Sequence, residues 1–472
     1  MEGGNAKAHA VLLSSPGLGH LIPVLELGKL LVTVNNFKVT IFVVSFLPSA
    51  AESQVLQSFV SPELCEVIRL PPANISDLVD ADAAVVTRIA VLMREIRPAL
   101  SSAISGLKYP PTVLIVDFFG TESLGFADDF KIPKFVFIPT HAWCLALTIY
   151  LPRLDEVVKG EYVDEKEALF IPGCRPVQPE DVVDPMMCRS DQQYAEYVHL
   201  GMNILMADGI LVNTWEELEP ETLASLRENK LLGRISKVPI YPVGPIIRPI
   251  GAVDHSCKKL LFDWLDKQPS ESVLFVSFGS GGMVSNEQMR ELAWGLELSR
   301  QRFIWVVRTP AVKSGDGSFF TFDSGSSNDI LSYLPEGFMG RTQNLGLVVS
   351  DWAPQVEILS HPSVGGFLTH CGWNSTLESI MNGVPMIAWP LYAEQKMNAT
   401  MLAEELRIAV REKILPSKGI VGREEIKMLV KRIMVDDEGL AMKARVKELK
   451  LSAERAWSRN GSSLKALAQA MR

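Results

Sequence analysis

The segment 369–379, THCGWNSTLES, mixes histidine, tryptophan, asparagine, serine and glutamate in a way that core packing does not require. Gly372 permits the close approach of a backbone to a ligand. Asn374 and Ser375 fall at the predicted start of a helix, where free N–H groups and the helix dipole suit a diphosphate. Glu378 lies one turn further along, so its carboxylate can lean back and accept both hydroxyl groups of a ribose. The segment therefore predicts a nucleotide site.

A simpler explanation accounts for part of this segment without a ligand. Ser375 and Glu378 have the spacing of a capping box, in which two side chains satisfy free N–H groups at the start of a helix. His370 and Trp373 have no role in that motif. Both interpretations stay open at the level of the sequence.

Two further predicted strand ends carry residues that suit other parts of a nucleotide-sugar. Trp352, in the segment DWAPQ, follows a strand, and a base stacked on a tryptophan gains about 1–3 kcal/mol. Glu394 and Gln395 end the segment WPLYAEQ and can bind hydroxyl groups. Packing of Trp352 against a linker is the alternative. A base stack, an anion site, a ribose carboxylate and a polar pair thus follow one another in the order needed along a nucleotide-sugar.

His20 and Asp117 indicate acid–base chemistry in the first half of the chain. His20 follows a glycine turn at the start of a predicted helix, 22–32, with Pro23 in the first turn of that helix. The positive end of the helix dipole disfavours an imidazolium there, so the ring can act as a neutral base. Asp117 ends a predicted strand, and a carboxylate there can fix the tautomer of the ring. The alternative is a histidine that caps the helix and an aspartate in a turn.

A dinucleotide site is the main competitor, and it fits the sequence poorly. In GLGHLI, Gly17 and Gly19 match the G-x-G-x-x-G pattern, but Ile22 occupies the position of the third glycine. The segment GSGGMV fails the same comparison at Val284, and no P-loop is present. An oxidoreductase that uses a nicotinamide cofactor is therefore the less favoured interpretation.

Composition and charge limit the class of protein. The 472 residues are 47% hydrophobic and 21% charged, which allows a large core and more than one domain. The formal net charge of −9 gives no basis for binding nucleic acid. The first residues lack the parts of a signal peptide, and no window has the roughly 18 uninterrupted apolar residues of a membrane span. The six cysteines lack metal-ligand spacing. We therefore expect a cytoplasmic protein with free thiols, no metal site, no membrane span and no nucleic-acid partner.

Short apolar runs alternate with longer amphipathic segments along the whole chain, which is typical of βα units and parallel sheets. The fold class predicted is α/β, with two Rossmann-like, doubly wound domains that face each other across a cleft. A proline-rich segment at 241–250 predicts the linker between them, and a Gly/Ser-rich segment, 313–328, predicts a surface loop. The predicted strands are 10–15, 39–44, 113–117, 135–138 and 210–213 in the first half, and 273–278, 303–308, 347–351, 365–369 and 385–389 in the second.

The segment 352–395 resembles, over its full length, the signature box of plant secondary-metabolite UDP-glycosyltransferases, a family with the GT-B fold. The segments SSPGLGHLIPVLELGKLL, VDFFGTES and FVSFGSGG extend the resemblance over nearly the whole chain. It implies an acceptor-binding domain at 1–240 and a UDP-sugar-binding domain at 251–450. It also implies that a helix in 451–472 packs back on the first domain.

The same resemblance assigns roles to individual residues. His20 would be the general base, assisted by Asp117. Phe118 and Phe119 would line the acceptor pocket. The residues implied to bind UDP are Ser277, Ser280, Trp352, Ala353, Gln355, His370, Asn374, Ser375 and Glu378. Those implied to bind the sugar are Thr140, Trp373, Glu394 and Gln395.

The resemblance also implies a reaction. The donor would be UDP-glucose, because a glutamine at position 395 usually accompanies glucose and a histidine there galactose; no cofactor is implied. Transfer would invert the anomeric carbon and give a β-glucoside. The segments FLPSAAESQ and PPANISDL look most like those of enzymes that glucosylate hydroquinone, monolignols and other small phenols. We expect a monomer whose partners are UDP-glucose and such a phenol. The alternative is a non-catalytic protein that binds a nucleotide-sugar or a metabolite. Such a protein needs no base, so the presence of His20 and Asp117 disfavours it.

Overall fold

The computed structural model of the protein describes residues 7–46, 50–59, 63–80, 82–228, 232–249, 259–310, 330–350, 352–413, 415–416 and 418–472. The chain forms two compact units. The first comprises Met1–Ile247 and Ala453–Arg472, and the second comprises Arg248–Ser452. Each contains one parallel sheet with helices between its strands, so the α/β class predicted from the alternating runs is confirmed.

In the part of the first unit that the structure describes, the sheet has seven strands. They are β1 His9–Ser14, β2 Lys38–Val43, β3 Cys65–Arg69, β4 Val113–Asp117, β5 Lys134–Ile138, β6 Gly209–Val212 and β7 Ile240–Pro242. All pair in parallel, in the order β3-β2-β1-β4-β5-β6-β7. The direction of winding reverses between β1 and β4. Because every residue of these two strands is buried, both read as continuous apolar runs.

Nine helices of the first unit lie between these strands in the described part of the chain. They are α1 Leu18–Thr33, α2 Ala50–Ser58, α3 Val85–Glu95, α4 Arg97–Ser105, α5 Gly125–Phe130, α6 Ala142–Val157, α7 Gln192–Ile204, α8 Pro220–Arg227 and α9 Leu232–Ile235. The prediction of 22–32 for the first helix starts too late, because α1 begins directly after the glycine turn. Pro23 consequently lies inside the helix and not in its first turn.

The described residues of the second unit form a sheet of six strands. They are β8 Val273–Ser277, β9 Arg302–Val307, β10 Gly346–Ser350, β11 Val364–Thr369, β12 Met386–Ala388 and β13 Ala409–Arg411. All pair in parallel, in the order β10-β9-β8-β11-β12-β13, so the winding reverses between β8 and β11. The described helices that begin in the second unit are α10 Lys259–Leu265, α11 Asn286–Ser299, α12 Phe338–Thr342, α13 Gln355–Leu359, α14 Trp373–Asn382, α15 Gln395–Thr400, α16 Arg423–Met434 and α17 Asp437–Ala456.

The strands that the sequence did not predict all lie at sheet edges. These strands are β3, β7 and β13, and each pairs with one neighbour only among the described strands. An edge strand keeps one side open to solvent or to a loop, so it does not need a long apolar run. Strand β3 is half exposed, and β7 and β13 are only three residues long. Their local sequence therefore resembles that of a loop.

The predicted linker, 241–250, starts too early. Strand β7, Ile240–Pro242, occupies its first residues, and the first unit continues to Ile247. Proline is tolerated in an edge strand because its missing N–H can face away from the ladder. Beyond β7, the side chain of Asn213 holds the chain by accepting from the N–H of Ile246 at 2.7 Å and donating to its carbonyl at 3.1 Å.

The last helix, α18 Ser462–Ala470, belongs to the first unit. Its buried Leu467 joins the core formed by β1, β2 and α1. Ser463 Oγ donates to the carbonyl of Gly244 at 2.5 Å, and Trp457 Nε1 donates to the carbonyl of Pro245 at 3.0 Å. The end of the chain is thus fastened to the segment that follows β7.

Three expectations concern the whole chain and can be compared with its described residues only. Free thiols are found at Cys65, Cys144, Cys174, Cys188 and Cys371, whereas Cys257 lies outside the described ranges. The Gly/Ser-rich segment 313–328, predicted to be a surface loop, also lies outside them. Among the helices described, none has both the length and the apolar character needed to span a bilayer.

Candidate functional site

Each sheet places predicted site residues where its winding reverses. In the first unit, His20 follows β1 and Asp117 ends β4. In the second unit, Ser277 ends β8 and pairs in register with Thr369, which directly precedes His370. Ligands of open α/β sheets bind beyond the carboxyl ends of the strands at such a reversal. Each unit therefore has one candidate site.

His20 and Asp117 are in contact. Nδ1 of His20 lies 3.1 Å from Oδ2 of Asp117, and their side chains are 19% and 0% exposed. Because a carboxylate can only accept, Nδ1 carries the hydrogen, and the lone pair of the neutral ring is on Nε2. The N-cap position of α1 is Gly17, so the interpretation of His20 as a capping histidine is wrong. The pair has the arrangement of a base and the group that orients it.

Ser15 also holds Asp117, although no motif in the sequence indicates this contact. Its backbone N–H donates to Oδ2 of Asp117 at 2.9 Å, and its hydroxyl donates to the same oxygen at 2.5 Å. Gly120 leaves room for this arrangement, because a Cβ there would lie 2.9 Å from Cβ of Val116. Two donors of Ser15 therefore hold the same carboxylate oxygen that faces His20. The only signal in the sequence was a serine at a strand end.

The two phenylalanines after Asp117 differ in position. The ring of Phe119 is partly exposed, and its centroid lies 5.2 Å from that of the His20 imidazole. Phe118 is 7% exposed and packs against Phe119 and Tyr197 in the interior. The arrangement supports a role for Phe119 in binding an apolar acceptor next to the base. It does not favour direct contact of Phe118 with an acceptor.

Thr140 lies before α6 at the carboxyl end of β5 and is 8% exposed. The start of that helix is capped by a carboxylate from a distant part of the chain. Glu219 accepts from the backbone N–H groups of Ala142 at 2.9 Å and Trp143 at 3.1 Å. Glu219 therefore fixes the backbone beside Thr140. No local motif could have shown this, because the partners lie more than seventy positions apart.

In the second unit, the start of α14 tests the capping-box explanation of the segment 369–379. Helix α14 begins at Trp373 with Gly372 as N-cap, so Ser375 lies within the first turn and does not cap it. The capping-box interpretation is therefore wrong. Instead, Nε2 of Gln355 donates to Oγ of Ser375 at 2.8 Å and to Oε2 of Glu378 at 2.6 Å. Hydrogen bonds thus join one polar side chain of α13 to two of α14, and Asn374 lies next to Ser375 at the helix start.

Glu378 is buried, and burial raises the pKa of its carboxyl group to about 7. The hydrogen bond from Gln355 and the charge of Arg248 oppose this shift, and the charge of Glu357 adds to it. A carboxyl group with a pKa near 7 exists in both protonation states around neutral pH. Any ligand that requires the carboxylate must therefore bind more tightly as the pH rises.

The imidazole of His370 is enclosed between two glycines. A Cβ at Gly279 or at Gly372 would lie 2.4 Å from an atom of the ring. Burial, and secondarily the charge of Arg308, lowers the pKa of His370 to about 4, so the ring is neutral at pH 7. Its Nδ1 is buried and has no hydrogen-bond partner among the described residues. A neutral ring in this position can donate one hydrogen bond to an oxyanion without carrying charge.

The remaining residues predicted to bind UDP lie at the carboxyl ends of β8 and β10. Ser277 is buried, and its hydroxyl accepts from the N–H of Gly279 at 3.4 Å. Ser280 is exposed on the same loop. Trp352 is partly exposed, and Ala353 beside it is buried. The exposed part of Trp352 can stack on a base, while Ala353 can contribute only its backbone.

The residues of the second unit that are predicted to bind the sugar differ in their exposure. Gln395 is 3% exposed, and its Oε1 accepts from the N–H groups of Leu391 at 2.9 Å and Tyr392 at 3.1 Å. Its amide nitrogen is therefore the part that can reach a hydroxyl group. Glu394 is partly exposed at the N-cap of α15. Trp373 is 4% exposed, so its indole packs in the core and contact of that ring with a sugar is not favoured.

Two doubly wound parallel-sheet units in one chain, each with polar residues at its winding reversal, define an α/β protein with the GT-B fold. Residues 251–431 match the family model described as UDP-glucoronosyl and UDP-glucosyl transferase. The relative Anthocyanidin 3-O-glucosyltransferase 5 from Manihot esculenta is 61% identical over 97% of this chain and 94% of its own length. Hydroquinone glucosyltransferase from Rauvolfia serpentina is 46% identical over 98% and 96%. The chain belongs to the plant UDP-glycosyltransferases of glycosyltransferase family 1, as the sequence predicted.

Solved structures agree with this assignment. TcCGT1 in complex with UDP is similar with a TM-score of 0.92 and 49% identity over 98% of both chains. Phytolacca americana UGT2 complexed with UDP-2fluoro-glucose and pterostilbene is similar with a TM-score of 0.86 and 40% identity over 98% of this chain and 99% of its own. The protein is therefore an enzyme, a UDP-sugar glycosyltransferase. This excludes both the nicotinamide-dependent oxidoreductase and the non-catalytic binding protein.

Proposed function

We propose that this enzyme transfers glucose from UDP-glucose to the hydroxyl group of a small phenol, with inversion to a β-glucoside. The observation that carries the proposal is the pair formed by His20 and Asp117, in which Nδ1 faces the carboxylate at 3.1 Å and the lone pair is left on Nε2. The printed names of relatives add support for the acceptor class. One relative is a hydroquinone glucosyltransferase, and one solved relative holds the phenol pterostilbene.

In the proposed reaction, Nε2 of His20 removes the proton of the acceptor hydroxyl. The oxygen forms a bond to the anomeric carbon while the bond from that carbon to the phosphate oxygen breaks, so the electron pair leaves with UDP. Asp117 stabilises the imidazolium that results and keeps the ring in position. A phenol, with a pKa of about 10, gives up its proton more readily than an alkanol, so one base suffices. A single displacement of this kind needs no covalent intermediate and inverts the configuration.

In the proposed donor site, uracil stacks on Trp352, and the ribose hydroxyls bind Glu378. The diphosphate lies against Ser277, the neutral ring of His370 and the first turn of α14, where Asn374 and Ser375 are found. The two glycines beside His370 support this placement, since they bring the ring and two backbones together. Ser280, Ala353 and Gln355 complete the site. The sugar contacts proposed are Thr140, Glu394, the amide nitrogen of Gln395 and, through its backbone only, Trp373.

A direct assay tests the function. We expect purified protein with UDP-glucose to convert hydroquinone and hydroxycinnamyl alcohols into monoglucosides, identified by mass spectrometry. The coupling constant of the anomeric proton in the NMR spectrum should be that of a β-glucoside. A product with the α-configuration would contradict the inverting displacement. Transfer to alcohols or anilines but to none of the phenols would contradict the proposed acceptor class.

The choice of sugar is tested at Gln395. We expect Gln395→His to lower the ratio of kcat/KM for UDP-glucose over UDP-galactose by about tenfold, roughly the worth of one hydrogen bond. Oε1 of Gln395 accepts from both Leu391 and Tyr392, whereas a neutral imidazole has a single acceptor lone pair, so a histidine cannot keep both bonds and also donate to the sugar. Gln268→His is the control, because Gln268 follows α10 and donates to the carbonyl of Trp264 in that helix. An unchanged ratio in a variant that melts at the wild-type temperature would remove Gln395 from sugar recognition.

A further inference from the structure

Arg308 is a cation at the donor site that none of the motifs discussed above includes. It follows β9, which pairs in parallel with β8, so it lies at the same edge of the sheet as Ser277. Arg308, Ser277 and Gly279 line one small pocket that opens to solvent. Nη1 of Arg308 also donates to the carbonyl of Ser280. The guanidinium is therefore attached to the loop that closes over His370.

The charge of Arg308 reaches the centre of the proposed diphosphate site. After burial, it is the second cause that lowers the pKa of His370. That imidazole lies against Gly279, which lines the same pocket as Arg308. Three independent features, namely the strand register, the shared pocket and the bond to the loop, place the guanidinium beside the anion site.

A diphosphate requires more positive charge than the other proposed contacts provide. His370 is neutral at pH 7. Ser277 and Asn374 are uncharged, and the start of α14 contributes the equivalent of about half a charge. A nucleoside diphosphate carries more than one negative charge, and more charge collects on it as the bond to the sugar breaks. A guanidinium is always protonated and forms forked hydrogen bonds with phosphate oxygens.

We propose that Arg308 is a further donor-binding residue, whose guanidinium holds the loop at Ser280 and neutralises the diphosphate of the UDP-sugar. This inference rests on the proposed donor site. It implies that Arg308 strengthens the binding of ligands with phosphate groups and does not strengthen the binding of the nucleoside alone. It also makes the electrostatic part of donor binding depend on one residue that lies outside the signature segment 352–395.

The test compares three ligands of decreasing charge. We expect Arg308→Gln to weaken the binding of UDP at least tenfold and of UMP by a smaller factor, while uridine affinity stays within about twofold, measured by titration calorimetry. The affinity of the wild type for UDP should fall with added salt more steeply than that of the variant. Arg308→Lys keeps the charge but cannot form the forked hydrogen bonds, so its affinity for UDP should lie between those of Arg308→Gln and the wild type.

Arg302→Gln is the matched control. Arg302 begins the strand that Arg308 follows, so this variant removes the same charge at the opposite edge of the sheet. Its affinity for UDP should equal that of the wild type.

The outcomes separate this inference from the proposed function. Equal losses for UDP and uridine in both Arg308 variants would indicate damage to the loop and overturn the proposal, as would wild-type affinity for UDP. A wild type that binds UDP but transfers glucose to no phenol would overturn the acceptor assignment and leave the role of Arg308 standing. A wild type that does not bind UDP would overturn the donor site and the inference together.

Discussion

Replacement of His20 by alanine is expected to lower kcat for the glucosylation of a phenol by about 10²–10⁴-fold, the usual contribution of a positioned general base. The affinity for UDP should stay unchanged, because His20 and Asp117 lie in the first unit and the proposed UDP contacts in the second. Initial rates under saturating substrates and titration with UDP measure the two effects. His199→Ala is the control, since His199 is a half-exposed histidine of the same unit that lies 3.3 Å from Glu122.

The acidity of the acceptor distinguishes a base from a structural residue. A phenol that is already ionised needs no base, so the loss in His20→Ala should shrink for 4-nitrophenol and should shrink further as the pH rises. A merely structural role would lower the rate for all phenols by the same factor. Undiminished turnover in His20→Ala would remove the imidazole from the mechanism, and the pair with Asp117 would lose its proposed purpose.

Replacement of Glu378 by glutamine is expected to weaken the binding of both uridine and UDP by about 10–100-fold. Hydrogen bonds to a charged group contribute about 1.5–3 kcal/mol each, and the amide has only one acceptor oxygen for the two ribose hydroxyls. Glutamine has nearly the same volume, so no cavity is created. Glu287→Gln, at an exposed position of α11, is the control for the loss of a charge. Equal affinities in Glu378→Gln and the wild type would remove the carboxylate from ribose binding.

The dependence on pH gives a second measurement at Glu378. Because the pKa of this carboxyl group is about 7, its ionised fraction rises from about a tenth at pH 6 to about nine tenths at pH 8. If only the carboxylate binds the ribose, the affinity of the wild type for uridine should rise about tenfold over this interval. Uridine is the right ligand because it has no phosphate group that titrates there. The affinity of Glu378→Gln should be independent of pH.

The stability of the unliganded enzyme should change in the opposite direction. The folded pKa of Glu378 lies above its ordinary value of 4.5, so the unfolded chain releases this proton first as the pH rises. The stabilising contribution of the group is complete below about pH 4.5 and is lost as the pH rises through 7. The melting temperature of Glu378→Gln relative to the wild type should therefore be higher at pH 8 than at pH 5. A constant difference would contradict the raised pKa.

Edge strands and the linker show where the local sequence is ambiguous. Central strands such as β1 and β4 are buried on both faces, so their continuous apolar runs could be recognised. Strand β7 contains proline and pairs on one side only, which made it look like part of the linker. Its assignment depends on the pairing of Ile240 with Ile210, a residue from a distant part of the chain.

The candidate site shows the same limit in its details. The capping-box interpretation of Ser375 and Glu378 was locally sound and yet wrong, because the helix starts at Trp373 and Gln355 binds both side chains. The carboxylate of Glu219, which fixes the start of α6, has no signal in its own segment. Burial alone separates Phe119, beside the base, from Phe118 in the interior.

The sequence by itself determined the α/β class, the family, the central strands and the identity of the polar residues that follow them. It could do so because side chains at strand ends and helix starts are set by local backbone geometry and by spacing along the chain. Only the tertiary structure decided that Ser15 donates to Asp117, that Gln355 joins Ser375 to Glu378, and that Arg308 reaches the loop at Ser280. These contacts join residues far apart in the chain, and burial, which sets the protonation of His370 and Glu378, arises only when the elements pack together.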